Sequence, residues 1–305
     1  MIDCCVAIMA HNEEANIGPV LRALLAQNTD VASINEIVIV ASGCTDRTED
    51  IVEGFIVQDS RIRLMRQPTR EGKASAINLL MKSTRQEVII LHNADNISMP
   101  DTIESLILPF VEPEVGMVGG HPVPINPRST FMGFGAHLLW ELHHQRCLQH
   151  PKMGELVAFR NIFRQIPHDS AVDEASIEPL IIGQGMRLLY APDAVIRNKG
   201  PETVRDYMIQ RRRIFAGHLY VKDLLGYRVS TMKGTPIIKL YIKNMKLDWR
   251  YFIWGPAIIC LEVLSRLRGA YDYKIWRRKP FAWTIVESTK DLEEASRHPC
   301  PGVEC

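Results

Sequence analysis

Four apolar runs of strand length, each followed by a segment with helical spacing, govern what the first third of this chain can become. Residues 4–10 are apolar at every position, which is how a strand reads when both of its faces are covered. Residues 13–27 follow, with Ile17, Val20, Leu21, Leu24 and Leu25 on one side of a helix. Residues 36–41 form the second run, with a helix starting near Thr45, and residues 61–65 alternate as a third strand. A helix is expected over 72–83, a fourth strand over 87–91, and Pro100 suits the first turn of another helix, where its missing N–H costs nothing. This alternation predicts an α/β fold built on a mostly parallel sheet flanked by helices. Such sheets bind ligands beyond the carboxyl ends of their strands.

Four polar clusters fall at that edge: Ala10-His11-Asn12-Glu13-Glu14, Ser42-Gly43-Cys44-Thr45-Asp46, Glu71-Gly72-Lys73 with Asn78 beyond, and His92-Asn93-Ala94-Asp95-Asn96. Any one of them could be a helix cap or a turn. Four at one edge, with an acid ending an apolar strand, point to a bound nucleotide diphosphate. Gly72-Lys73 offers helix N–H groups and a cation to phosphate oxygens, and Asp95 offers a hard oxygen to Mg²⁺ or Mn²⁺. Neither a Gly-x-x-x-x-Gly-Lys-Ser/Thr loop nor a Gly-x-Gly-x-x-Gly turn is present, which disfavours NTPases and dinucleotide dehydrogenases.

Charge and cysteine content narrow the partners. With 36 Lys+Arg against 35 Asp+Glu, the chain is not a general nucleic-acid binder. Seven scattered cysteines without a Cys-x-x-Cys pair read as reduced thiols, and no secretory signal is evident, so a cytoplasmic setting is expected. No stretch reaches the ~20 apolar residues of a spanning helix; the nearest, residues 251–264, already contains Glu262.

These clusters resemble, in order, the signatures of the inverting glycosyltransferases of family 2, which have the GT-A fold and use nucleotide-sugar donors. Residues 10–14 look like the family's opening Pro-x-Tyr-Asn-Glu run and residues 42–46 like its Asp-Gly-Ser-Thr-Asp turn. Gly72-Lys73-x-x-Ala76-x-Asn78 matches a further signature, and Asn93-Ala94-Asp95 occupies the place of Asp-x-Asp. Asp173-Glu174 stands where the family has its Glu-Asp acceptor-site pair, and residues 210–214 resemble Gln-x-x-Arg-Trp. The resemblance covers about residues 3–220. It implies a hexosyltransferase in which Ala10, Asn12, Glu13 and Ser42 line the nucleotide pocket and Lys73, Asn93, Asp95, Gln210 and Arg213 hold the donor. Asp95 would be the metal ligand, and Asp173 or Glu174 the base that activates a lipid-linked or glycan acceptor hydroxyl. Three positions depart from the pattern: Asn93 replaces an aspartate, Ala41 stands where many members have an aspartate that reads the nucleotide, and Ile214 replaces the tryptophan. A nucleotidyltransferase of the same sheet, or a non-catalytic scaffold derived from a transferase, are the competing readings.

A helix is expected over about 202–222, carrying Gln210 and Arg213. Beyond residue 225, Lys239, Lys243, Lys246 and Arg250 interleave with Ile238, Tyr241, Ile242 and Trp249. This composition suits a helix in the headgroup region of a membrane, giving peripheral contact at the inner face of the cell membrane. A helix packed on the catalytic domain or a second subunit is the alternative. The expected organisation is a catalytic domain over 1–225, a basic and aromatic helical appendage over 226–290, and a flexible tail over 291–305.

Overall fold

The computed structural model describes residues 1–232 and 234–276. The expected tail, the end of the expected appendage, and Lys233, Arg277, Arg278 and Lys279 lie outside the described residues. The first half alternates as β1 (Ile2–Ala10), α1 (Ile17–Leu25), β2 (Ala32–Ser42), α2 (Thr48–Ile56), β3 (Ile62–Gln67), α3 (Lys73–Met81) and β4 (Val88–Asn93). A short strand β5 (Asn96–Ser98), α4 (Thr102–Ile107), β6 (Val115–Pro124), α5 (Phe131–Cys147) and β7 (Leu156–Arg160) come next. The chain continues through α6 (Asp173–Ile182), β8 (Arg187–Asn198), α7 (Val204–Leu225), α8 (Gly234–Lys243) and α9 (Trp249–Lys274).

The eight strands make one sheet in the order β3-β2-β1-β4-β7-β6-β8-β5. β1 pairs in parallel with β2 and β4, β2 with β3, and β6 with β8; β7 and β5 run against their neighbours. The apolar run of β1 is uninterrupted because both faces are covered. Cys4, Val6 and Ile8 pack with Ile17, Leu21 and Leu24 of α1 and with Val52 of α2. Cys5 and Ala7 face the other way, into a core with Ile77 and Leu80 of α3 and Ile177 and Ile181 of α6. Each fully buried Ile or Leu of this kind contributes about 1.5–3 kcal/mol, so the two cores hold the sheet edge rigid while the edge itself stays polar.

Helix starts shift from the sequence expectation where polar side chains capture the backbone. α2 begins at Thr48 and not near Thr45, because the Asp46 carboxylate accepts from Thr48 N at 3.0 Å and Asn12 Oδ1 accepts from Thr45 N at 2.8 Å. α1 starts at Ile17, four residues late, with Glu13 O taking the Asn16 and Ile17 amides in a turn. The five described cysteines, Cys4, Cys5, Cys44, Cys147 and Cys260, are all free thiols.

The C-terminal segment folds back on the sheet domain. α9 lies along α7, closely enough that a Cβ on Gly269 would stand 2.6 Å from the Arg212 carbonyl oxygen. The buried residues of α9 are Gly255, Ile258, Ser265, Gly269 and Asp272, three small residues, one isoleucine and one acid. Phe252, Ile253, Val263, Leu264, Leu267 and Tyr271 are exposed instead. Near its start Tyr251, Trp254 and Ile259 pack against Phe134, Leu138 and Leu142 of α5, so α9 has apolar contact with the domain as well as an apolar face turned outward. No helix among the described residues is long and apolar enough to cross a membrane.

Candidate active site

The carboxyl ends of β1, β2 and β4 open onto a cavity of ≈ 490 Å³ that α3, α6, α7 and α9 enclose from the other sides. Of the residues expected at the site, Ala10, Glu13, Ser42, Lys73, Asn93, Asp95, Asp173, Glu174, Gln210 and Arg213 all line it. Asn12 is not among the lining residues. It takes a left-handed conformation, φ 54°, and its amide ties β1 to the β2–α2 turn through Thr45. Ala41 is fully buried within β2 and brings no polar group to the edge.

Gly72 precedes α3 at φ 93° and ψ 161°, a conformation open in practice to glycine alone, and it turns the chain so that Lys73 begins the helix facing the cavity. The Lys73 ammonium sits 2.9 Å from Asp173 Oδ2 and 3.8 Å from Glu174 Oε1, and it donates to Asn93 Oδ1 at 2.9 Å. Burial alone would lower its pKa, but the Asp173 and Glu174 carboxylates outweigh burial and hold it above the ordinary lysine value. The other end of the Asn93 amide donates to Glu155. One chain of polar contacts thus runs from α6 through α3 and β4 to the start of β7.

Asp173 and Glu174 open α6, where the helix dipole favours acids. Their side chains differ in exposure, 6% against 20%. Burial, reinforced by the Asp173 charge and only partly relieved by Lys73, pushes the Glu174 carboxyl up to about 8. Burial and the neighbouring Asp95 charge likewise raise Glu155.

The three consecutive arginines of α7 meet different fates. Arg211 grips Glu262 of α9 with two nitrogens at 2.7 and 2.8 Å, and Tyr207 and Arg266 donate to the same carboxylate at 3.0 and 2.8 Å. Arg212 pairs with Asp272 on the outer side of the seam. Arg213 has no ion pair within 4 Å among the described residues, and its Nε is buried without a hydrogen-bond partner. Desolvation lowers its pKa even though Glu155, Asp173, Asp95 and Glu174 lie around it.

Glu155 and the nearby Lys152 were not evident in the sequence because they precede a strand. β7 runs against β4, with Leu156 opposite His92, so the start of β7 meets the carboxyl ends of the parallel strands. The strand-end rule searches the wrong side of an antiparallel insertion. The signal was available only as two charged residues just ahead of a fully buried run.

Among the described residues no three His, Cys, Asp or Glu side chains form a ready-made metal cluster. Asp95 and Glu155 supply two hard carboxylates to one cavity, and the Asp95 charge disfavours that of Glu155. That donor set fits a Mg²⁺- or Mn²⁺-sized ion, which is held by one or two carboxylates and completed by phosphate oxygens and water.

Solved structures share this architecture. A mannosyltransferase from Pyrobaculum calidifontis, in complex with GDP-Man and Mn²⁺, superposes with a TM-score of 0.61 over 90% of this chain and 87% of its own, at 19% identity. Glucosyl-3-phosphoglycerate synthase from Mycobacterium tuberculosis, in complex with Mn²⁺, UDP and phosphoglyceric acid, gives 0.51 over 72% and 78% at 18% identity. The fold is therefore that of the GT-A glycosyltransferases. The profile of glycosyl transferase family 2 matches residues 5–172, more than half of the chain, and the chain belongs to that family. Among curated relatives, a dolichyl-phosphate β-glucosyltransferase of Trichomonas vaginalis is 26% identical over 200 residues, 59% of either protein. A probable glycosyltransferase of Bacillus subtilis is 26% identical over 280 residues, 85% of this chain and 63% of its own. The chain thus spans about 60% of the length of these two curated proteins.

Proposed function

We propose that the chain transfers a sugar, with inversion, from a nucleotide-diphosphate donor to an acceptor hydroxyl. The observation that carries this reading is Arg213: a half-buried guanidinium, its Nε buried without a hydrogen-bond partner and without an ion pair among the described residues, that shares one cavity with Lys73, Asp95 and the Asp173–Glu174 pair. A buried cation without a partner is costly unless a ligand supplies the anion, and a diphosphate suits a guanidinium's paired donors.

Glu174 is the base in this scheme. It is the more exposed of the two acids and its pKa of about 8 is close to working pH, where a general base is most effective. Asp173, held by Lys73 at 2.9 Å, orients the lysine and balances its charge. As the acceptor oxygen attacks the anomeric carbon, its proton passes to the Glu174 carboxylate. The bond from that carbon to the diphosphate oxygen breaks on the opposite face, and the electron pair leaves with the nucleotide. Arg213, Gln210 and the N-terminus of α3 receive the growing negative charge, the kind of preorganised stabilisation that dominates such reactions. Asp95, with Glu155 beside it, would hold Mg²⁺ or Mn²⁺, which when bound neutralises diphosphate charge. Ala10, Glu13 and Ser42 shape the nucleotide end, with Asn12 fixing the loop that carries them.

Calorimetry with UDP, GDP and related nucleotides, with and without Mn²⁺, tests the donor site. Binding that Asp95→Ala weakens supports it; no binding by any nucleoside diphosphate defeats it.

The outward apolar face of α9, with the exposed Ile238 and Ile242 of α8 and the exposed Lys239, Lys243 and Lys246, fits the headgroup region of an anionic membrane. We assign peripheral membrane contact to this face. Co-sedimentation with phosphatidylglycerol vesicles, lost in Phe252→Glu/Leu267→Glu and weak with phosphatidylcholine alone, is the expected result. A soluble dimer built on the same face, or no vesicle binding, would overturn it.

A further inference from the structure

Two carboxylates of the cavity, Glu174 and Glu155, stand on segments with little regular structure to hold them. Glu174 opens α6, whose N-cap, Val172, supplies no side-chain acceptor for the first amides. Further along, Pro179 has no N–H to return to the Ala175 carbonyl, so the helix lacks a ladder bond beside the turn that carries Glu174. Glu155 follows residues 151–154, which belong to no helix or strand, and β7 begins only at Leu156.

Glu178 joins the two segments. It lies four residues after Glu174, on the same side of α6, and is 1% exposed. Its Oε1 accepts from Met153 N at 3.0 Å, two residues ahead of Glu155, and its Oε2 accepts from the Tyr227 hydroxyl at 2.5 Å. Tyr227 follows the left-handed Gly226 (φ 68°) that ends α7, the helix of Gln210 and Arg213. It packs against a small core of Val172, Ala175, Val221 and Val229, which joins the start of α6 to α7. One buried carboxylate thus fastens the helix of the base, the segment leading to Glu155 and the end of the helix that carries Arg213.

These contacts close a ring. From Glu174 it runs to the Lys73 ammonium at 3.8 Å, from Lys73 to Asn93 at 2.9 Å, and from the Asn93 amide to Glu155. It returns through Met153 N, Glu178 and one turn of α6. The two halves differ in kind. Lys73 and Asn93 line the cavity, where an incoming diphosphate competes for their hydrogen bonds. Glu178 is buried behind the cavity wall, and its bonds to Met153 and Tyr227 persist whatever the cavity holds. We propose that Glu178, with Tyr227, is a positioning residue for sugar transfer: it sets the spacing between Glu174 and Glu155 and touches neither substrate. This rests on the transferase reading above. A misplacement of about 1 Å at a reacting centre can cost about 10²-fold in rate, so a bond made behind the site is enough to matter.

Release of nucleoside diphosphate from UDP-glucose, GDP-mannose and related donors by the full chain with Mn²⁺, water serving as the acceptor, tests the positioning. E178L should lower kcat about tenfold or more, with donor KM and the calorimetric Kd of the nucleoside diphosphate within about threefold of wild type. E178Q should keep kcat within about threefold, because its amide still accepts from Met153 N and donates to the Tyr227 oxygen. Y227F leaves the Met153 bond and should fall between them. Equal kcat in E178L and wild type, or a loss in E178Q as large as in E178L, overturns the proposal. A merely structural glutamate would lower Tm and leave the kcat of the folded chain unchanged, which thermal unfolding and turnover per nucleotide-binding site distinguish. Should E178L not fold, Y227F decides: unchanged kcat in the folded variant overturns the proposal, and a lowered kcat with unchanged KM supports it. Failure of wild type to turn over any donor overturns the transferase reading and this proposal together, whereas the variants bear on the positioning alone.

Discussion

The seam between α7 and α9 and the cavity beside it are built from the same residue types to opposite ends. In the seam every charge is matched: Glu262 receives Arg211, Arg266 and Tyr207, and Asp272 receives Arg212. In the cavity the Arg213 Nε is buried without a hydrogen-bond partner, Arg213 forms no ion pair within 4 Å among the described residues, and Asp173, Glu174 and Lys73 crowd into one cluster. One turn of a single helix belongs to both regions. Satisfied pairs fix a geometry, and unsatisfied charges bordering them keep free energy available for a ligand. The seam is what keeps Arg213 aimed into the cavity.

Substitutions should separate the two regions cleanly. The largest effect is expected from Glu174→Gln, which removes the proposed base and should lower kcat by about 10²–10⁴-fold with little change in donor affinity. Donor turnover that survives this change would move the base elsewhere. Next is Glu262→Ala, which strands Arg211 in the seam. Breaking one partner out of a buried pair costs about 3–5 kcal/mol, and urea unfolding should read that loss. An unchanged midpoint would mean that α9 contributes nothing to the fold of α7. Arg213→Met should do the reverse, costing about 2–3 kcal/mol of nucleoside-diphosphate affinity by calorimetry, the worth of a hydrogen bond to a charged group, while stability holds or rises. A fall in Tm comparable to that of Glu262→Ala would erase the distinction between seam and cavity.

A further test is in pH dependence. The Glu174 carboxyl titrates at about 8 in the folded chain, above its ordinary 4.5. The folded state therefore binds the proton more tightly, and this contribution to stability is complete below pH ~4.5 and is lost as pH rises through about 8. Glu174→Gln should accordingly gain stability relative to wild type between pH 5 and 9, and wild-type turnover should rise towards pH 8. A flat difference in Tm across that range would contradict the assigned environment.

Much of this was legible in the chain. The apolar runs of β1, β2 and β4 sit between helical segments, and that order dictates a covered parallel sheet whose polar strand ends converge. Ten of the eleven site residues expected from those strand ends and from the family resemblance line one cavity. Helix starts were less legible, because Asn12 and Asp46 capture backbone amides that periodicity assigns to α2.

Only the tertiary structure decided the rest. Local pattern says nothing of strand direction, so Lys152 and Glu155, which reach the active edge through the reversal of β7, show in the sequence only as two charges ahead of an apolar run. Arg211, Arg212 and Arg213 are one string of like residues. What separates an anchor from a ligand-facing cation is whether α9 brings a carboxylate within reach, and Glu262 and Asp272 are about 50 to 60 residues away along the chain. The outward apolar face of α9 has the same origin. Its sequence shows an apolar segment interrupted by one acid, but only packing decides that the acid turns inward and the apolar residues turn out.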